Sequence, residues 1–397
     1  MACRSASLRL DLFCQIVDNF GDAGICWRLA RQLATEYGFQ VRLWIDQPAV
    51  LQKICPGVIA ECTEQTVCGV DVCFWPSSFS GVPAEDIPDV VVEGFGARLP
   101  ECYVRQMAAR RIAPVWINLE YLSAESWVEN SHLMASPQSW IPLTKYFYFP
   151  GFTRKTGGLI REKGLFVARD AFQRDREHAI RFLSSIGISA QRQQFIVSLF
   201  CYPQAPVVSL LESFRDGERD VLCLVPEGVA VEAVQSFMNR HAVAGTRFSA
   251  GRLNLQILPM IEQNLYDRLL WSCDLNFVRG EDSFVRAQWA GRPFVWHIYP
   301  QEKHVHLDKL TAFLEHYLTS VSEENAQKIR YFWRLWNRVD DRHIVPEDWN
   351  EFRKFIPLLN QHGYKWSKKM MALPDLTFSL VRFIEKLRKT MPFREEI

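Results

Sequence analysis

CDLNFVRGEDSFVRAQWAGRPFVWHIYPQ, residues 273–301, is the stretch whose reading decides the fold. CDLNFV has the unbroken apolar character of a buried strand. Arg279-Gly280 follows as a turn that a residue without Cβ passes at little steric cost, and DSFVRAQWA reads as a short helix capped by Asp282 or Ser283 and stopped by Gly291. RPFVWHIYP is a second apolar strand, ending at Pro300. The unit is therefore strand, turn, helix, strand, with a polar cluster at the carboxyl end of its first strand. In open α/β sheets ligands bind at that end, and helix N–H groups beside a fork-shaped arginine suit a phosphate. Arg279, Asp282 and Ser283 are thus candidates for an anion or nucleotide site. They equally fit an ordinary strand-to-helix cap with a surface arginine, because no fixed phosphate-loop motif is present.

Working outward, 397 residues give room for two domains, each with its own core. An apolar fraction of 48% argues against disorder, and no run of about 18 apolar residues is available to span a bilayer. The opening MACRSASLRLDLF lacks the apolar core and cleavage site of a secretory signal. Eleven cysteines, scattered singly and without a CxxC pair, read as reduced thiols in a cytoplasmic protein. A formal charge of +1 gives no general attraction to nucleic acid or membrane.

Toward the start, LRLDLFCQIV is a strand, GICWRLARQLATEYG a helix and FQVRLWID a strand. Their connecting loop, Asp18-Asn19-Phe20-Gly21-Asp22-Ala23-Gly24, lacks a GxGxxG fingerprint and carries two carboxylates. Two acids repel a pyrophosphate and hold a cation: a metal, an amine or a guanidinium. Alternatively, Asp22 caps the helix and Asp18 begins a turn. DVCFWP, PDVVVEGF and APVWINLEY continue the strands, with LPECYVRQMAARR as a helix. Residues 140–164 read as irregular, either a functional loop or a passage between domains. The second half restarts with strands QQFIVSLFCYP, DVLCLVPEG and LNLQILPMI, alternating with helices VVSLLESF, Val231–Arg240 and NLYDRLLW. Helices then follow near 303–317, 322–337 and 348–359, and a last one, LTFSLVRFIEKLRK, has an apolar stripe that should pack on a domain.

Two doubly wound halves, one with an acidic loop and one with an anion-friendly helix start at its ligand end, describe a cleft between two Rossmann-like domains, the GT-B glycosyltransferase architecture. Specific stretches carry a closer resemblance: DNFGDAG near the start, WINLEYLSAESW at 116–127, PGFTRKTGGLIRE at 150–162, SLFCY at 198–202 and NFVRGEDSFVRAQWAGRPFVWHIYPQ at 276–301. Together they resemble the elongation factor P arginine rhamnosyltransferase family, EarP, from about residue 8 to the last helix. The expected fold class is α/β of GT-B type. Residues 1–165 would form the acceptor-binding domain, 166–360 the nucleotide-sugar domain, and 361–397 a helical segment returning to the first.

The resemblance implies an inverting enzyme without metal or cofactor, moving L-rhamnose from dTDP-β-L-rhamnose to an arginine of bacterial elongation factor P. It places Phe200, Tyr202, Gln263, Tyr266 and Tyr299 around the thymidine, and Arg279, Gly280, Asp282 and Ser283 at the diphosphate. Asn19, Phe20 and Gly21 would also serve the donor, and Asp18, Asp22 and Glu281 would be the catalytic acids. On its own residue type, Phe200 in a strand reads as core. A guanidinium and an aspartate differ by about ten pKa units, so full proton transfer before attack would cost roughly 13 kcal/mol. Asp22 and Glu281 would therefore orient the guanidinium and accept its proton late, with Asp18 supporting Asp22, while Arg279 and the helix start stabilise the departing diphosphate.

Other polar candidates read as structural. His304 and His306, two apart in a helix, face different ways, and His297 inside a strand reads as a satisfied core histidine. Lys155, Arg161 and Lys163 read as a solvated basic loop or as contacts to donor or partner. Competing functions are a GT-B transferase with another sugar or acceptor, an oxidoreductase disfavoured by the missing GxGxxG, and a non-enzymatic nucleotide-binding module.

Overall fold

The structure, a computed structural model, describes residues 7–228, 230–301, 305–339 and 342–390; His304 lies outside them. The chain forms two compact units, one comprising residues up to Lys163 and from Met371 on, the other Gly164–Met370.

The first unit is built on eight strands: β1 (Arg9–Cys14), β2 (Gln40–Ile45), β3 (Glu64–Val67), β4 (Val70–Phe74), β5 (Val90–Gly94), β6 (Val115–Leu119), β7 (Ala135–Pro137) and β8 (Thr144–Tyr148). Their order is β3-β4-β2-β1-β5-β6-β8-β7. From β4 to β8 all pairs are parallel, and β3 and β7 are antiparallel edges. This is the doubly wound 3-2-1-4-5-6 order, whose direction reverses at β1 and β5. β5 and β6 are buried at every residue, as strands covered on both faces must be. Phe13, Trp75, Val91, Tyr103 and Trp116 fill one core layer. Within it Asp11 accepts from Arg42 (Nε, 2.7 Å; Nη2, 2.8 Å) and from the Tyr103 hydroxyl, so the buried charge is paired.

The second unit has six strands: β9 (Phe195–Leu199), β10 (Val221–Pro226), β11 (Arg247–Ala250), β12 (Leu253–Leu258), β13 (Leu275–Arg279) and β14 (Phe294–His297). They are ordered β11-β12-β10-β9-β13-β14, with only the β11 edge antiparallel. The winding reverses between β9 and β13.

The chain returns to the first unit through the helix Leu376–Thr390. Thr377 donates to Gln32 Oε1 at 2.6 Å, Phe383 meets Tyr146 edge-on at 5.5 Å, and Leu380 is fully buried. Gly158 (φ 81°) makes the seam possible, because a Cβ there would stand 2.2 Å from the carbonyl oxygen of Pro374.

Several elements differ from the sequence expectations. The 140–164 stretch contains β8, and two of its basic residues have structural partners within the first unit: Lys155 pairs with Glu129 at 3.0 Å and Arg161 donates to the Met371 carbonyl at 2.9 Å, while Lys163 is held through its backbone N–H, which donates to Glu36 at 2.7 Å. The single helix expected at 348–359 is two, Pro346–Arg353 and Ile356–Met371, the second with Pro357 in its opening turn, where the missing N–H costs nothing. A boundary at 360 therefore falls inside a helix, and the second unit runs to Met370. Helices Leu165–Gln173 and Arg176–Ser185 were not read from the sequence.

Candidate active site

In the first unit the polar residues lie past the carboxyl end of β1, at the winding reversal. The loop expected over 18–24 is mostly helix, since the helix Phe20–Tyr37 begins four residues before the GICWRL run. Asp22 explains the early start. Its Oδ2 reaches back to accept the N–H groups of Val17 and Asp18, both at 2.7 Å, and so fixes the approach to the first turn. The carboxylate is 1% exposed. Burial raises its pKa, the bonds from Asp18, Val17 and the Tyr121 hydroxyl oppose the rise, and the nearby Asp46 adds to it. Tyr121 is itself stacked on Phe95, with ring centroids 4.6 Å apart.

Asp18 is also buried, and its carbonyl accepts the Gly21 N–H at 2.8 Å. Its carboxylate lies against Gly21, where a Cβ would come within 2.6 Å of Oδ2. Asn19, exposed, takes a positive φ of 42° at the turn, and Phe20 is half-buried. Two buried carboxylates in five residues make an environment that attracts a cation.

In the second unit the candidates gather where β9 and β13 diverge. Arg279 ends β13, and its guanidinium carbon lies 4.4 Å from the ring of Phe200 and 4.8 Å from that of Tyr202, both just past β9. Arg279 Nη1 donates to the Cys201 carbonyl at 3.4 Å. Phe200 is half-buried with a cation on its face, so it is not core. The backbone N–H of Tyr202 donates to His297 Nδ1 at 3.1 Å, and burial, with Arg279 and His306 adding, lowers the His297 pKa to about 3. His297 is the neutral, satisfied core histidine that its strand position predicts. Tyr299, 38% exposed, stands edge-on to Tyr202 at 5.4 Å.

Gly280 passes the turn at φ 56°, its carbonyl accepting Trp296 Nε1 at 2.8 Å. The helix is Asp282–Ala290 with Glu281 at the N-cap position, so neither Asp282 nor Ser283 is the cap. The Ser283 hydroxyl instead accepts the Arg279 N–H at 3.0 Å and donates to the Arg279 carbonyl, locking the strand end to the helix start. Asp282 accepts from Gln263 Nε2 at 3.2 Å. The buried pair Arg286–Asp267, with Nε to Oδ1 at 2.7 Å, clamps this helix to Gln263–Ser272. Gln263 and Tyr266 are thereby held beside Asp282 and Ser283, and burial keeps the Tyr266 phenol well above its ordinary range. The result is an arginine fork, aromatic faces and a fixed helix start at one switch point, a set suited to a nucleoside diphosphate. His306 is buried and accepts the Gln301 N–H through Nδ1 at 3.0 Å. Among the described residues no three His, Cys, Asp or Glu side chains group as metal ligands.

Tyr121, Phe95 and Trp296 were missed by sequence reasoning. Tyr121 lies in the WINLEYLSAESW stretch, but nothing in residue spacing ties it to Asp22.

The calicheamicin glycosyltransferase CalG4 has the same fold at 11% identity, with a TM-score of 0.50 covering 97% of this chain and 98% of that one. Two doubly wound units of this kind make the GT-B fold. Residues 10–385 match the family described as Elongation-Factor P (EF-P) rhamnosyltransferase EarP. The chain belongs to that family. A protein-arginine rhamnosyltransferase of Pseudomonas putida is 44% identical over 375 residues, 94% of this chain and 97% of the relative. Another, from Neisseria meningitidis, is 34% identical over 393 residues, 95% of this chain and 97% of the relative. A solved structure concerned with EarP-mediated arginine glycosylation of translation elongation factor EF-P superposes with a TM-score of 0.67 at 32% identity, covering 96% of this chain and 99% of that one.

Proposed function

We propose that this glycosyltransferase transfers L-rhamnose from dTDP-β-L-rhamnose to an arginine of translation elongation factor P, with inversion and without a metal ion or cofactor, in the bacterial cytoplasm. The observation that carries the reading is the Arg279 guanidinium against the rings of Phe200 and Tyr202 at the second unit's switch point. In this reading Phe200, Tyr202, Gln263, Tyr266 and Tyr299 hold the thymidine, while Arg279, Gly280, Asp282 and Ser283 hold the diphosphate. Asn19, Phe20 and Gly21 contribute to the donor site, and the acceptor guanidinium is drawn to Asp18, Asp22 and Glu281.

Inversion requires one displacement. A guanidinium nitrogen bonds to the anomeric carbon as the bond from that carbon to the diphosphate oxygen breaks, dTDP departs, and the proton released from nitrogen passes to Asp22. The raised pKa of Asp22 narrows the gap of about ten units between carboxylate and guanidinium without closing it, so proton transfer follows C–N bond formation. Positive charge from Arg279 and the N–H groups of the helix start meets the charge growing on the diphosphate. No membrane partner is invoked, and no helix among the described residues is long and apolar enough to cross a bilayer.

The test is the intact mass of elongation factor P after incubation with the protein and dTDP-β-L-rhamnose in EDTA, with Asp22→Asn alongside. A gain of one deoxyhexose on a single arginine, lost in the variant, is the expected result. An unmodified acceptor in the presence of folded, donor-binding protein would overturn the acceptor assignment.

A further inference from the structure

The second unit carries a basic cavity that the transfer reaction does not use. Arg292 lies just before β14, and β14 runs parallel to β13 with Phe294 opposite Asn276. Arg292 is therefore at the amino end of the sheet, whereas Arg279 is at the carboxyl end, roughly 16 Å of strand away. It lines an open polar cleft of about 500 Å³ together with Asp170, Arg174, Asn360, Gln361 and Tyr364.

Arg292 is half-buried, and the protein compensates its guanidinium only in part. Its Nε is buried and has no hydrogen-bond partner among the described residues. The acid nearest in effect is Asp274, whose oxygens are engaged by Arg176 at 2.8 and 3.0 Å and by the Ile196 N–H at 2.8 Å. Asp170, on the cavity wall, is held by Arg169 at 2.7 Å. Burial lowers the pKa of Arg292, Asp274 opposes this, and the charges of Arg176 and Arg169 add to the lowering. A half-buried cation with its accessible side on an open cleft favours an anion there.

We propose that this cavity binds a small phosphate-bearing anion, gripped by Arg292 and Arg174, with the amides of Asn360 and Gln361 as neutral donors. Two guanidinium forks match a tetrahedral oxyanion better than a single carboxylate does. Tyr364, 42% exposed at the rim, offers a ring for a base if the anion is a nucleotide.

The experiment titrates inorganic phosphate, and separately AMP, into the full chain carrying Arg279→Gln, so that the site at the carboxyl end of the sheet does not contribute. Saturable binding is expected, weakened at least about tenfold by Arg292→Gln, the loss of one charge-assisted hydrogen bond, and severalfold by Arg174→Gln. In phosphate-free buffer Arg292→Met should melt no lower than its parent, because it removes a half-buried charge that desolvation and the neighbouring Arg176 and Arg169 disfavour, and phosphate should raise the melting temperature of the parent alone. AMP binding tighter than phosphate would assign a nucleotide, and equal binding the phosphate group by itself. Absence of saturable binding, or binding unchanged by Arg174→Gln and Arg292→Gln, overturns the proposal. If Arg292→Gln does not fold, the exposed Arg174→Gln decides.

Discussion

Gly21→Ala separates the chemistry of the acidic turn from its architecture. A Cβ at this position would stand 2.6 Å from Asp18 Oδ2 and 3.2 Å from its Cγ. The obstacle is the end of a side chain, and regaining ordinary van der Waals contact requires that oxygen to move by about 0.8 Å. The backbone need not yield, since Gly21 lies inside the helix Phe20–Tyr37. Alanine is a better helix former than glycine by about 0.5–1 kcal/mol, so stability should hold or rise slightly. Catalysis should not hold. A misplacement near 1 Å in a positioning group costs on the order of a hundredfold, so kcat is expected to fall by roughly ten- to a hundredfold. The assay pairs a thermal melt with steady-state rhamnosylation at saturating donor and acceptor. A raised KM for donor with unchanged kcat would mean that the methyl obstructs the sugar nucleotide instead of displacing Asp18. Wild-type kcat and KM, or a melting temperature lower by several degrees, would refute the reasoning.

Asp22→Asn should reduce kcat by roughly 10²–10⁴, yet remain folded, because an amide oxygen can still accept the Val17 and Asp18 N–H groups. The folded pKa of Asp22 is raised, so its stabilising contribution is present below the unfolded pKa and is lost as pH rises through the folded one. At pH 7 the variant should therefore melt no lower than wild type, and wild-type activity should fall on acidification at a pH above the ordinary aspartate range. Arg279→Lys should weaken donor binding at least about tenfold by calorimetry, because an ammonium cannot reproduce a planar fork lying on Phe200 and Tyr202. Arg286→Ala removes the guanidinium that clamps the buried Asp267 carboxylate and should lower unfolding free energy by about 3–5 kcal/mol in a denaturant titration.

The strands were legible because parallel sheets covered on both faces demand unbroken apolar runs, and NFVR, FVWH and VLCLVP advertise them. The helix Asp282–Ala290 was equally plain, bracketed by Gly280 and Gly291. Its cap was not, because the Ser283 hydroxyl finds its partners on the end of β13, a choice fixed by the crossing of strand and helix and not by residue order. The helix Leu165–Gln173 escaped notice for a related reason. Its buried positions are Leu165 and Arg169, and Arg169 donates to the Trp289 carbonyl and Ser367 Oγ at 2.8 and 2.7 Å, so half of the inward face looks polar in sequence. At the candidate site the types of residue were readable and their partners were not. Asp22 reads as a cap or a cation ligand, and the side chain that modulates it, Tyr121, is brought in by a strand on the far side of the winding reversal. Phe200 reads as core by composition, and only the fold lays a guanidinium on it.

The seam between Gln32 and Thr377 sets a timetable for biosynthesis. The strands of the first unit precede Gly164–Met370 in the chain, yet the unit lacks its closing helix until that intervening stretch has been made. On the ribosome its early strands must wait with one flank uncovered while a whole second core is synthesised and allowed to collapse. The half that emerges first is thus the half that finishes last.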